Sequence, residues 1–178
     1  MAAYPFDHTL KVIWEVARDS SAATLTVTTI IEADHGQAVA IAFGWHPYMA
    51  VANAASAQIE LPRRRPVALA PSGLPILATP ISDWIGASTE AVGQNQDSLF
   101  EIEPSAGSTS IAIIDGSDRT EIRFEGGYNF LQVYSPTNAN FACAEPMTTA
   151  TSALTDMPTV IASGERAQAI FQMRRKLR

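Results

Sequence analysis

Leu10, Val12, Trp14 and Val16 alternate with Lys11, Ile13 and Glu15. The same period of two returns where Leu25, Val27, Thr29 and Ile31 are set between Thr24, Thr26 and Thr28. Such a period turns alternate side chains of an extended chain to opposite faces, and β-branched residues favour that conformation. The pattern predicts strands with unlike faces. Further strands are expected at Val39–Gly44, Ile59–Leu61, Leu99–Glu103, Thr109–Ile114 and Glu121–Phe124, then at Phe130–Tyr134, Phe141–Glu145 and Ala167–Met173. Asp115-Gly116 predicts a hairpin whose loop is longer than two residues, while Gly126-Gly127 and Ser135-Pro136 punctuate the strands that follow.

No segment carries the i, i+3, i+4 apolar recurrence of a long amphipathic helix. Many short strands at near-regular spacing therefore predict an all-β fold, an antiparallel sandwich or barrel. The least regular stretch runs from Leu61 to Gln96 and holds Pro62, Pro66, Pro71, Pro75 and Pro80. A long irregular segment in a compact domain is expected to be a functional loop. Strands of similar composition resume after it, so 1–178 is read as a single domain, a length that buries a sizeable core without staples.

Composition narrows the function classes. Twelve basic against eighteen acidic residues give a formal charge of -6, which argues against a nucleic-acid binder that must displace counterions. No apolar run approaches the ~20 residues of a membrane span, and MAAYPFDHTL lacks the layout of a secretory signal. The single cysteine, Cys143, forms no intramolecular disulfide and is expected in a reducing compartment, the cytoplasm.

Three places are suited to chemistry. In Phe43-Gly44-Trp45-His46-Pro47-Tyr48, a strand runs into Gly44 and Pro47 halts its ladder by supplying no N–H. Imidazole suits proton transfer near neutral pH. Two readings of His46 stand, a proton donor or a structural histidine between packed rings. In Phe141–Met147, alternation sets Phe141, Cys143 and Glu145 on one face and Ala142 with Ala144 on the other. Apolar surroundings disfavour a charged carboxylate and raise its basicity, as a general base requires. Glu145 is such a base or a strand-end carboxylate bonded to a turn or an arginine. In Asn95–Phe100, Asp97 either accepts hydroxyls of a polyhydroxylated ligand or forms a turn. Arg63-Arg64-Arg65 reads as a solvated loop, with a phosphate site as the alternative. His8 and His35, beside Asp7 and Asp34, read as exposed loop residues. Cys143 reads as packing, since no basic neighbour in sequence lowers its pKa. No His/Cys cluster has metal-ligand spacing.

Taken in order, FGWHPY, PSGLP, NQDSLF, NFLQVYSP, CAEPMT, SAL and ASGE resemble the aldose 1-epimerase (mutarotase) family, from about Tyr4 to Met173. The resemblance implies an antiparallel β-sandwich of the galactose mutarotase-like type with a sugar in an open cleft on one sheet. It implies that His46, in the HPY motif, is the general acid and that Glu145, in the EPMT motif, is the general base. Asp97 would bind sugar hydroxyls, and no metal or organic cofactor would be used. Trp45 or Tyr48 is added here as an aromatic wall for the sugar ring.

Family members are longer and begin with strands that supply a second sugar-binding histidine and an arginine. By that comparison this chain is expected to be N-terminally truncated, with an open sheet edge inviting a homodimer. The expected activity is interconversion of the α and β anomers of a hexose. The alternatives are a non-catalytic carbohydrate-binding sandwich, or an epimerase whose Arg63–Arg65 reach a phosphorylated hexose.

Overall fold

The alternation becomes two facing antiparallel sheets in the computed structural model, which describes residues 4–76, 83–103, 108–156 and 158–176. In chain order the strands are β1 (His8–Arg18), β2 (Ala22–Ala33), β3 (Val39–Ile41), β4 (Tyr48–Ala50), β5 (Gln58–Leu61), β6 (Arg64–Pro66) and β7 (Ser88–Ala91). They continue with β8 (Gln96–Ile102), β9 (Thr109–Asp115), β10 (Asp118–Gly126), β11 (Phe130–Ser135) and β12 (Phe141–Met147). One helical turn, α1 (Ala153–Asp156), precedes β13 (Thr159–Ile161) and β14 (Arg166–Lys176). The larger sheet runs β1-β2-β14-β10-β9-β5-β7, the smaller runs β4-β12-β11-β8-β6, and β13 pairs with β3 alone. Among the described residues no helix is long and apolar enough to cross a membrane.

The core lies between the two large sheets. Val27, Phe171, Phe124, Ile122 and Ile59 project from one, and Met49, Ala142, Ala144, Leu131, Val133 and Phe100 from the other. Each fully buried Val, Leu, Ile or Phe side chain contributes about 1.5–3 kcal/mol. A second cluster, built on Ile31, Val39, Ile41 and Ile161, ties the small β3–β13 sheet to the end of β2.

Several expectations change in detail. Val39–Gly44 shortens to β3, and Gly44 instead makes an isolated bridge to Met147. The β9–β10 loop has only two residues, because Asp115 pairs with Asp118. Gly116 takes φ +60° at the first loop position, where a two-residue type II′ turn demands glycine. The Leu61–Gln96 stretch is not wholly irregular, since it supplies β6 to the small sheet and β7 to the large one. Prolines do not forbid this, because Pro66 ends an edge strand where no ladder N–H is needed. Pro80 lies outside the described residues.

Arg63–Arg65 are not a solvated loop, for each guanidinium meets a carboxylate. Arg63 pairs with Glu103 at 2.9 Å, Arg65 with Glu101 and Arg64 with Glu90. Arg64 is buried on the core face of β6 and reaches across to Ser88 and Glu90 of β7, closing the end of the sandwich. His8 is half-buried at the start of β1, with Nδ1 2.7 Å from the Phe6 carbonyl oxygen. His35 is exposed. β1 is an outer strand of the large sheet and leaves Leu10, Trp14 and Val16 exposed.

Candidate active site

The site is on the face of the small sheet that points away from the core. Its alignment follows from pairing. Gly44 bridges Met147 and Tyr48 pairs with Cys143, so His46 falls opposite Glu145 with Pro47 interrupting the ladder beside it. The Trp45 N–H donates to the Pro146 carbonyl at 3.0 Å. The Thr148 hydroxyl accepts the Phe43 N–H and donates to the Phe43 carbonyl, at 3.0 and 2.9 Å. Gly44 permits this close approach, since a Cβ there would stand 3.0 Å from both Met147 Cγ and the Pro146 oxygen.

His46 Nε2 lies 3.2 Å from Glu145 Oε1. The His46 ring stacks on Tyr48 with centroids 4.6 Å apart and planes at 6°, and Tyr134 meets it edge-on at 6.3 Å. His46 is open to solvent, whereas Glu145 is only 9% exposed. Burial, and secondly the negative charge of Asp97, push the Glu145 carboxyl up to about 7. Cys143 is fully buried, and burial followed by the charge of Glu145 pushes its thiol up to about 12. Its sulfur shares the outward face with His46 and Glu145.

Asp97 enters from β8, in register with Tyr134 of β11, which in turn pairs with Cys143 of β12. Its carboxylate accepts a hydrogen bond from the Gln132 side-chain amide. Gln132 pairs with Glu145, so the amide occupies the sheet between the two carboxylates. Sequence reasoning did not single out Gln132. Alternation in β11 carried the signal, since Leu131 and Val133 go to the core and the polar side chain between them must face outward.

The structure thus brings His46, Tyr48, Asp97 and Glu145 to one face and leaves Trp45 elsewhere. The Trp45 indole N–H donates to Thr29 Oγ1 at 3.1 Å, and its ring packs against Trp14 and Phe171 of the large sheet. The reason is the period of two, because a neighbour of His46 in an extended segment points to the opposite face. Among the described residues, His46, Cys143 and Glu145 bring together donor atoms with metal-ligand chemistry, all within 4.8 Å of one another.

What this arrangement can do is move a proton between a near-neutral carboxylate and an imidazole, beside the hydrogen-bonded Asp97 and Gln132 side chains.

Comparison with known proteins supplies the lineage. Among solved structures, a galactose mutarotase-like protein from Clostridium acetobutylicum matches with a TM-score of 0.72 at 14% identity, over 97% of this chain and 58% of that one. A galactose mutarotase-like protein from Lactobacillus casei matches with a TM-score of 0.66 at 15% identity, over 97% of this chain and 64% of that one. Galactose 1-epimerase from Lactobacillus acidophilus gives 0.62 at 10% identity, over 94% and 67%. The sandwich has the galactose mutarotase-like fold, and the chain spans less than two thirds of the length of the first two. No curated protein matches it by sequence. The family model described as aldose 1-epimerase matches residues 2–170, and the chain belongs to the aldose 1-epimerase family.

Proposed function

We propose that this chain interconverts the α and β anomers of a hexose, with Glu145 as general base and His46 as general acid. The observation that carries the reading is the facing pair itself, a buried carboxyl pushed up to about 7 with an imidazole nitrogen 3.2 Å away. Anomer exchange requires the C1 hydroxyl to lose a proton while the ring oxygen gains one. A sugar entering from the open face separates the pair and puts C1–OH against Glu145 and the ring oxygen against His46. The ring opens, the aldehyde rotates about C1–C2, and closure runs both transfers backwards. A base near neutrality takes the proton and returns it with little cost either way, and each transfer contributes about 10²–10⁴-fold. Asp97, steadied by Gln132, accepts sugar hydroxyls, and Tyr48 fixes the His46 ring by stacking. A free hexose is favoured over a phosphorylated one, because Arg63, Arg64 and Arg65 are each paired with a glutamate.

NMR exchange between the anomers of glucose and galactose tests this. Wild type is expected to equilibrate them faster than Glu145→Gln and His46→Asn by about 10²-fold or more. Wild type no faster than those variants overturns the reading, and saturable sugar binding without acceleration would leave a carbohydrate-binding sandwich. The outer strand β1 is read as the place where a second copy pairs. A monomer by sedimentation equilibrium rejects that pairing.

A further inference from the structure

The three donors on the site face have a property that acid/base chemistry does not use. A ring nitrogen of His46, the sulfur of Cys143 and a carboxylate oxygen of Glu145 lie within 4.8 Å of one another, and the nitrogen–oxygen pair already stands at 3.2 Å. A tetrahedral zinc with bonds of roughly 2.0–2.3 Å holds its donors about 3.3–3.8 Å apart. One pair is therefore at ligand spacing, and side-chain adjustment of about 1 Å brings the widest separation, 4.8 Å at most, to it. Three protein donors leave the fourth position open to water. A thiolate selects soft or borderline ions such as zinc and cobalt over magnesium and calcium.

We propose that His46, Cys143 and Glu145 form a site for a thiophilic divalent cation, and that its occupancy silences the acid/base pair. In binding, the metal–sulfur bond replaces the sulfur–hydrogen bond of Cys143 and the proton leaves to solvent. His46 binds through a ring lone pair and Glu145 as carboxylate. No electron is transferred. The ion takes the lone pairs that would handle the C1 and ring-oxygen protons, so metal and sugar exclude each other. The inhibitory half rests on the epimerase reading, whereas the binding half does not.

Cys143 is the single cysteine of the chain, so a thiolate-to-metal absorption band has one source. Titrating untagged protein with cobalt(II) is expected to produce a thiolate-to-cobalt charge-transfer band that saturates at one ion per chain. The band is expected to vanish in Cys143→Ala, with Cys143→Ser as the size-matched variant should alanine disturb the strand. His46→Gln weakens cobalt binding. Zinc inhibits wild-type anomer exchange competitively with sugar, and Cys143→Ala, active without metal, needs about 100-fold more zinc for the same inhibition. Absence of the band at saturating cobalt in wild type overturns the proposal, as does equal zinc inhibition of wild type and Cys143→Ala. A band formed by a protein that does not exchange anomers leaves the metal site standing and removes the epimerase reading.

Discussion

The carboxylate of Glu145 lies 3.2 Å from His46 Nε2, and the charge of Asp97 acts on it from two strands away in the same sheet. Burial and that like charge both favour the protonated carboxyl. The carboxyl is thereby set near neutrality, where the proposed proton transfer would run.

The pH profile follows. A base must be ionised to accept the C1 proton, so kcat/KM is expected to rise along a limb with an apparent pKa of about 7. Asp97→Asn removes the smaller of the two causes and moves that limb to lower pH, by less than about one unit because Asp97 is exposed. Initial-rate polarimetry across pH checks both, and a limb that stays in place in Asp97→Asn contradicts the assigned charge.

The same carboxyl governs stability with the opposite sign. Its folded pKa is raised from 4.5 to about 7, so between these values the folded chain holds more protons than the unfolded chain. Stability present below pH 4.5 is lost as pH rises through about 7, amounting to about 3 kcal/mol for this group. Glu145→Gln keeps a neutral side chain and is expected to flatten that part of the curve, making the variant more stable than wild type at pH 8. Urea denaturation at pH 5 and pH 8 measures the difference.

Gly44→Ala is a test of alignment. Its Cβ would press on Met147 Cγ and the Pro146 carbonyl at 3.0 Å, lifting the segment that carries His46 away from β12. The expected cost is about 1–3 kcal/mol in stability. A shift of 1 Å is expected to lower kcat about 10²-fold. Retained kcat with lowered Tm would mean the segment gives way without moving His46.

Much of the architecture was legible from alternation. β1, β2, β8, β9, β11, β12 and β14 each show enough turns of the period-two pattern to be recognised, and the motifs single out His46, Glu145 and Asp97, whose side chains share one face of the small sheet. The elements that escaped, β4, β6, β7 and β13, have three or four residues, too few to display a period. β6 was hidden further because Arg64 and Arg65 look like surface charge, yet one is buried against Glu90 and the other is held by Glu101. The hairpin loop was overestimated because Asp118, Arg119 and Thr120 look like turn residues while pairing as strand. No periodicity states which polar side chains will find partners across a sheet.

The Arg64–Glu90 pair makes an asymmetric prediction. The Arg64 side chain is 4% exposed and that of Glu90 is 35% exposed. Glu90→Ala strands a buried cation, with an expected loss of about 3–5 kcal/mol. Arg64→Met replaces the cation with an apolar chain of similar length and leaves Glu90 in reach of water, so its loss is expected to be smaller. Denaturant midpoints for the two variants check the order, and the reverse order would contradict the burial argument.

Gln132→Leu is expected to raise KM for the sugar severalfold, about 0.5–1.5 kcal/mol, by freeing Asp97 from its amide partner. Steady-state kinetics separate this from a loss of kcat, which would place Gln132 at the reacting atoms.

Trp45 and His46 are joined by one peptide bond and turned to opposite sides of it, the first riveting the two sheets and the second facing the open surface. A survey of inactivating substitutions would therefore return Trp45 among its strongest hits although its indole ring is turned away from the proposed sugar site. Damage at the rivet and damage at the reagent would look alike in an activity screen. They part only when thermal stability is read alongside, because losing the tryptophan loosens the sandwich and losing the histidine leaves it whole.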